Sequence, residues 1–195
     1  MKKKHHLIFV PGLSDNNKLL TWAINRFNKD EFTPHIHLAP WLKRTEKFEP
    51  KLNRLLKLID KLSGDGDLVS LIGISAGASL VLNAYLQRKN KIIGVVNICG
   101  RLRSGTGFPS LNLASRKNPA FKQSVLGFEN IEPTLTTKDK KKVLTISAFL
   151  DEIVPLNTAT LPGATNIQVP LVEHNLAIYG TLIFYRGIIN NFLGI

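Results

Sequence analysis

The chain reads as an α/β domain, a three-layer α/β/α sandwich built on a mostly parallel sheet. Three observations predict this. Apolar strand-like runs alternate with segments of helical periodicity along nearly all of the 195 residues, the rhythm of strand–helix–strand units. Several runs, such as Ile92 to Cys99 with Val95, Val96 and Ile98, are apolar at consecutive positions, as in strands covered on both faces. One run passes into a helical segment through Gly73-Ile74-Ser75-Ala76-Gly77, a G-x-S-x-G turn.

The elements follow in order. His6 to Val10 is a first strand ended by Pro11-Gly12. Asn17 to Asn28 is helical, with Leu19, Leu20, Ala23, Ile24 and Phe27 on one face. Thr33 to Leu38 is a second strand. Pro50 to Leu62 is the clearest amphipathic helix. Leu52, Leu55, Leu56, Ile59 and Leu62 form its stripe, while Lys51, Arg54, Lys57 and Lys61 are expected to point away. Pro50 suits a first turn, and Ser63-Gly64-Asp65-Gly66 a stop. Leu68 to Ile72 leads into the G-x-S-x-G turn, and Ala78 to Leu86 continues as a helix. After Ile92 to Cys99, strands are expected at Val143 to Ala148 and at Asn166 to Val169, and Tyr179 to Leu193 as one closing helix. Residues 100–141, rich in Gly, Pro and Arg, interrupt the rhythm. They read as an irregular connection or small lid, with a short helix near Pro119 to Leu126. With no linker or repeat, residues 1–195 form a single domain.

Composition narrows the classes. No apolar run approaches the ~20 residues of a membrane-spanning helix. The basic start, Met1 to His6, precedes an apolar run of only Leu7 to Val10, below the ~7–15 residues of a signal core. A single cysteine, Cys99, forbids an internal disulfide and fits a reducing, cytoplasmic setting. Cys99 ends an apolar strand and reads as buried and inert. The net charge of +12 favours anionic partners or solubility. The basic residues are dispersed, with no nucleic-acid signature beside them, so they read mainly as a solvated face and specific nucleic-acid binding is not expected. Weak contact with anionic membranes stays open as a partner, and the oligomeric state is unassigned.

The G-x-S-x-G turn carries the chemistry. A strand, a tight turn and a helix with a serine at the bend form a nucleophile elbow, whose neighbours must be nearly free of side chain. The alternative is a glycine-rich helix start with a capping serine. A serine nucleophile needs a base and an orienting acid, found in the chain order Ser, acid, His. Of His5, His6, His35, His37 and His174, only His174 follows both Ser75 and a late strand. His35 and His37 alternate along the second strand. A two-histidine metal site there lacks a third ligand at helpful spacing, so half-exposed strand residues are the better account. Asp151 comes first after the strand Val143 to Ala148, with Glu152 as its competitor for the acid and a turn cap as its structural alternative. The amides of Ala76, at a helix start, and Leu13, in the loop after the first strand, are candidate oxyanion donors. Leu13, Ser75, Asp151 and His174 all lie just past strand ends, where open parallel sheets place their sites. Arg101 and Arg103 begin the connection near the rim. Either they favour an anionic substrate or they are exposed loop arginines.

On these motifs the chain resembles a small α/β-hydrolase-fold serine hydrolase of the esterase or lipase kind. Val10-Pro11-Gly12-Leu13 matches the oxyanion loop, Gly73 to Gly77 the elbow, Leu150-Asp151-Glu152-Ile153-Val154-Pro155 the acid loop, and Glu173-His174 the histidine position. Pro11-Gly12 stands where the family usually has His-Gly, and Glu173 where glycine often precedes the histidine. The short chain implies a minimal α/β-hydrolase fold lacking the first antiparallel strands, similar to the retinoblastoma-binding-protein-9-like group. The resemblance implies a Ser75–His174–Asp151 triad that cleaves a small-molecule carboxylic ester through an acyl-enzyme and needs no metal or organic cofactor. Thioester or amide bonds are equally compatible. Some compact members were first noted as binding proteins, so a non-catalytic interaction module on the same fold is the alternative function.

Overall fold

Among the described residues, six strands form one sheet in the order β2-β1-β3-β4-β5-β6, every neighbouring pair parallel. They are β1 (His5–Val10), β2 (Thr33–Ile36), β3 (Leu68–Ile74), β4 (Ile92–Ile98), β5 (Val143–Leu150) and β6 (Thr165–Val172). The computed structural model describes residues 3–13, 18–27, 32–64 and 66–195. The expected helix ends at Asn17 and Asn28 and the turn residue Asp65 lie outside the described residues.

The central strands β1, β3 and β4 are buried along nearly their whole length, which explains their continuous apolar runs. Their side chains still divide by parity: Ile8 and Val10 of β1 join the core on one face, Leu7 and Phe9 the core on the other. The two edge strands each carry a proline, Pro34 in β2 and Pro170 in β6. Proline has no N–H to give a ladder, so it is tolerated at an edge. Beside Pro170 the β5–β6 pairing is irregular, between Ala148 and Leu150.

Helices cover both faces. On one lie α1 (Lys18–Ile24), α8 (His174–Phe184) and α9 (Arg186–Leu193). On the other lie α2 (Phe48–Leu62), α3 (Gly77–Gln87) and α5 (Pro119–Ile131). Three four-residue helical turns, α4 (Leu111–Ala114), α6 (Thr137–Lys140) and α7 (Leu156–Ala159), and a tighter turn at Glu132–Thr134 lie in the connections. The chain steps from β1 outward to β2, then back across β1 to β3 and onward the other way. Right-handed crossovers then require the first helix and the next ones to lie on opposite faces. The reversal opens a crevice at the carboxyl ends of β1 and β3.

The stripe expected in α2 is observed: Leu52, Leu55, Leu56 and Ile59 are buried, each worth roughly 1.5–3 kcal/mol against exposure. Lys51 departs from the expectation. Its side chain is fully buried, and its ammonium donates to the Pro40 carbonyl at 2.5 Å and to Glu46 Oε2 at 3.0 Å. Arg54 also grips Glu46 through both Nη atoms, at 2.9 and 2.6 Å. A lysine one residue before the stripe is carried under the preceding loop, where a carbonyl and a carboxylate replace its water.

The closing segment also departs. It is two helices broken at Tyr185, whose amide donates to the carbonyls of both Gly180 and Thr181. The first begins at His174, earlier than the periodicity suggested, because Glu173 caps it: the Glu173 carboxylate accepts from the Leu176 amide at 2.7 Å. Residues 100–141 hold α4, α5 and α6, and α5 buries Ala120, Phe121, Val125 and Phe128 in the same core as α3. Among the described residues no helix is long and apolar enough to cross a membrane.

Candidate active site

Three strand ends deliver three side chains. Ser75 follows β3 with φ of 52°, a left-handed backbone rare for serine. Such a conformation costs about 1–3 kcal/mol and persists only where its surroundings hold it. Here the Ser75 amide donates to the Ile98 carbonyl at 2.9 Å, and its carbonyl accepts from the Ala78 amide at 3.1 Å. Glycine is required around it: a β-carbon on Gly73 would lie 2.5 Å from Ala78 Cα, and one on Gly77 would overlap the Val10 carbonyl.

Asp151 is the first residue past β5. Its Oδ1 accepts from the amides of Ile153 at 2.9 Å and Val154 at 2.8 Å, which leaves Oδ2 aimed at His174 Nδ1, 2.8 Å away. Both side chains are nearly buried, at 5% exposure for His174 and 6% for Asp151. Burial pushes the Asp151 carboxyl up. The hydrogen bond and charge of His174 and the two amides outweigh it, and the net is a carboxyl below its ordinary range.

His174 opens α8. Glu173 before it has φ of 75°, and its amide donates to the Leu150 carbonyl at 3.0 Å. The His174 amide in turn donates to Glu152 Oε2 at 3.1 Å. Asp151 and Glu152 thus divide the histidine between them, one taking the ring and one the main chain. On its far side, His174 Nε2 lies 2.9 Å from Ser75 Oγ. An ionised carboxylate only accepts, so the imidazole proton sits on Nδ1 and the Nε2 lone pair faces the serine hydroxyl.

Two pockets meet at Ser75. The larger, about 230 Å³, includes Gly12, Leu20, His174, Ile178 and Tyr179 in its wall. The smaller, about 110 Å³, includes Ala76, Pro109, Ala114 and Phe121 in its wall. Leu13 borders both, and Ala76 borders the smaller. Phe121 and Ala114 come from the 100–141 connection and carry no motif. Their only signal in the sequence is apolar periodicity.

Arg101 is neither of the things its position suggested. It is 1% exposed, and its guanidinium donates to the carbonyls of Arg103 at 3.2 Å, Pro109 at 2.7 Å and Ser104 at 2.6 Å. It pins the connection beside the small pocket. Arg103 pairs with Glu132 at 2.7 Å. The thiol of Cys99, 1% exposed, is pushed up to about 12 by burial and by the charge of Asp151. The two histidines part company: His35 Nε2, in β2, meets His6 Nδ1 at 3.1 Å, while His37 Nε2, just past the strand, is buried with no hydrogen-bond partner among the described residues. Among the described residues no three His, Cys, Asp or Glu gather as metal ligands.

No family model matches the chain, and no curated protein matches it in sequence. Solved structures do match. A carboxylesterase of the thaumarchaeon Nitrososphaera gargenis superposes with a TM-score of 0.71 at 14% identity, over 98% of this chain and 90% of that one. A metagenome-derived lipolytic enzyme gives 0.66 at 15% identity, over 96% and 90%. The monoacylglycerol lipase of Paleococcus ferrophilus gives 0.62 at 18%, over 97% and 94%. Identities this low speak for architecture alone, and on that architecture, with its parallel sheet and the left-handed turn at Ser75 after β3, the chain has the α/β-hydrolase fold.

Proposed function

We propose that this protein is a serine hydrolase that cleaves a carboxylic ester through an acyl-enzyme. Ser75 Oγ attacks the ester carbonyl as His174 Nε2 takes its proton. The carbonyl oxygen, now negative, is met by the amides of Leu13 and Ala76. Collapse breaks the bond to the leaving alkoxide, which receives the proton from His174. Water, activated by the same imidazole, then releases the acid and restores Ser75. Asp151 holds the Nδ1–H tautomer and stabilises the imidazolium between proton transfers. No step requires a cofactor. The chemistry fits a thioester or amide as well, and the ester is the simplest substrate class.

One observation carries this reading: the 2.9 Å approach of His174 Nε2 to a serine on a left-handed turn, backed by the 2.8 Å contact of Asp151 on the other ring nitrogen. A capping serine needs neither partner. The test is labelling with a fluorophosphonate. Covalent modification at Ser75, abolished in Ser75→Ala and reduced in His174→Ala, is expected. A folded protein that resists the reagent would instead be an interaction module on the same scaffold.

A further inference from the structure

We infer that the two pockets divide the ester unequally: the small one takes an unbranched acyl chain of about four carbons at most beyond the carbonyl, and the large one takes the leaving group. This rests on Ser75 being the nucleophile. His174 borders the large pocket and not the small one. The leaving oxygen must lie within reach of Nε2 to receive its proton, so the leaving group occupies the side His174 shares. Ala76 borders the small pocket and not the large one. A carbonyl whose oxygen faces that amide directs its chain onward toward Pro109, Ala114 and Phe121.

Size sets the limit. The small pocket's 110 Å³ corresponds to about four water volumes at ~30 Å³ each, and a methylene needs a comparable share. Its end wall does not yield easily. Phe121, buried, meets the ring of Trp41 edge-on, with centroids 6.3 Å apart and planes at 87°. Trp41 is 1% exposed, and its indole N–H donates to the Pro11 carbonyl at 3.4 Å. The wall of the acyl pocket and the oxyanion loop therefore brace one another through a single indole. Arg101 turns its guanidinium to three carbonyls of its own connection, so the chain meets mostly hydrocarbon there. The large pocket has twice the volume and an exposed residue, Asn175, in its wall. A bulkier alcohol fits there.

The test uses p-nitrophenyl alkylphosphonates with methyl, butyl and octyl chains. Each transfers its phosphonyl group to Ser75 with loss of p-nitrophenolate, and the rate reads the acyl pocket without turnover. The rate is expected to rise about fourfold per methylene from methyl to butyl, then to fall about tenfold or more at octyl as the pocket is overfilled. Phe121→Ala should move the optimum to octyl. Ala114→Leu should move it to methyl, which keeps the test open if the first variant folds poorly. Octyl reacting as fast as butyl, or a chain-length profile unmoved in both variants, overturns the pocket assignment and leaves the nucleophile intact. No modification by any of the three overturns both.

Discussion

Gly12 stands against Ser75 so closely that a β-carbon at position 12 would lie 2.9 Å from Ser75 Cβ and 3.3 Å from its hydroxyl oxygen. The Ser75 backbone is itself fixed by the Ile98 carbonyl, so it cannot retreat. Gly12→Ala should therefore move the hydroxyl or the Leu13 amide by a few tenths of an ångström or more. A loss of about 10²-fold in kcat/KM is expected, with little change in thermal midpoint. Steady-state assays beside a melting curve check it, and an unchanged kcat/KM would mean that the loop relaxes without moving the serine.

Asp151→Asn should separate orientation from fold. The asparagine carbonyl oxygen can still accept from Ile153 and Val154, so the loop is retained. Its amide then points N–H groups at Nδ1, which favours the wrong tautomer of His174. A drop of about 10⁴-fold in kcat is expected, by analogy with serine proteases. Stability should follow the pH argument for Asp151. Its carboxyl lies below the ordinary range in the folded state, so its contribution is present above the unfolded value near ~3.9 and is lost as pH falls through the lowered folded value. The variant should lack that acid dependence.

Glu46 pairs with three cations, Lys43, Arg54 and the buried Lys51. Glu46→Ala leaves that ammonium with only the Pro40 carbonyl, and a loss of about 3–5 kcal/mol is expected. Lys51→Met, which removes the charge and keeps the volume, should cost much less. Chemical denaturation of both variants decides it. The same loop carries Trp41, so Glu46→Ala should also weaken acyl-chain selectivity. The bonds from Arg54 and Lys51 hold Glu46 down to about 2, so its contribution should persist until pH falls below the unfolded glutamate value of ~4.3.

His37 should make the protein acid-sensitive in a different window. Burial, and then the charge of Arg54, lower it to about 4. The unfolded chain takes up its proton near ~6.5, so stability should fall as pH drops from there to about 4 and then level off for this group. His5 and His35, also lowered, add to the same slope. His37→Gln should flatten the urea midpoint between these pH values. A slope identical to that of the unmodified protein would show that His37 is protonated without penalty.

Much of the fold was legible because local rules and global architecture agree. Helical periodicity, apolar strands and an elbow with obligate glycines all point to one topology, and the chain order of Ser75, Asp151 and His174 follows strand ends that could be read directly. What failed was local in a telling way. Lys51 obeys the period of α2 and is buried nonetheless, since only the loop at residues 37–47 decides whether water or a carboxylate meets it. Arg101 looked like a loop arginine, and three carbonyls brought round by the connection hold its guanidinium instead. The closing helix starts early because a capping glutamate outweighs periodicity.

The sequence by itself determined the order of strands and helices and which hydroxyl, imidazole and carboxylate stand at strand ends, because those follow from spacing along one dimension. Only the tertiary structure decided that the ring of His174 reaches Ser75, that Glu152 takes its amide, and that Trp41 joins the oxyanion loop to Phe121. Such contacts lie between segments far apart in the chain, and their distances are set by how helices pack on a twisted sheet, which no local pattern encodes.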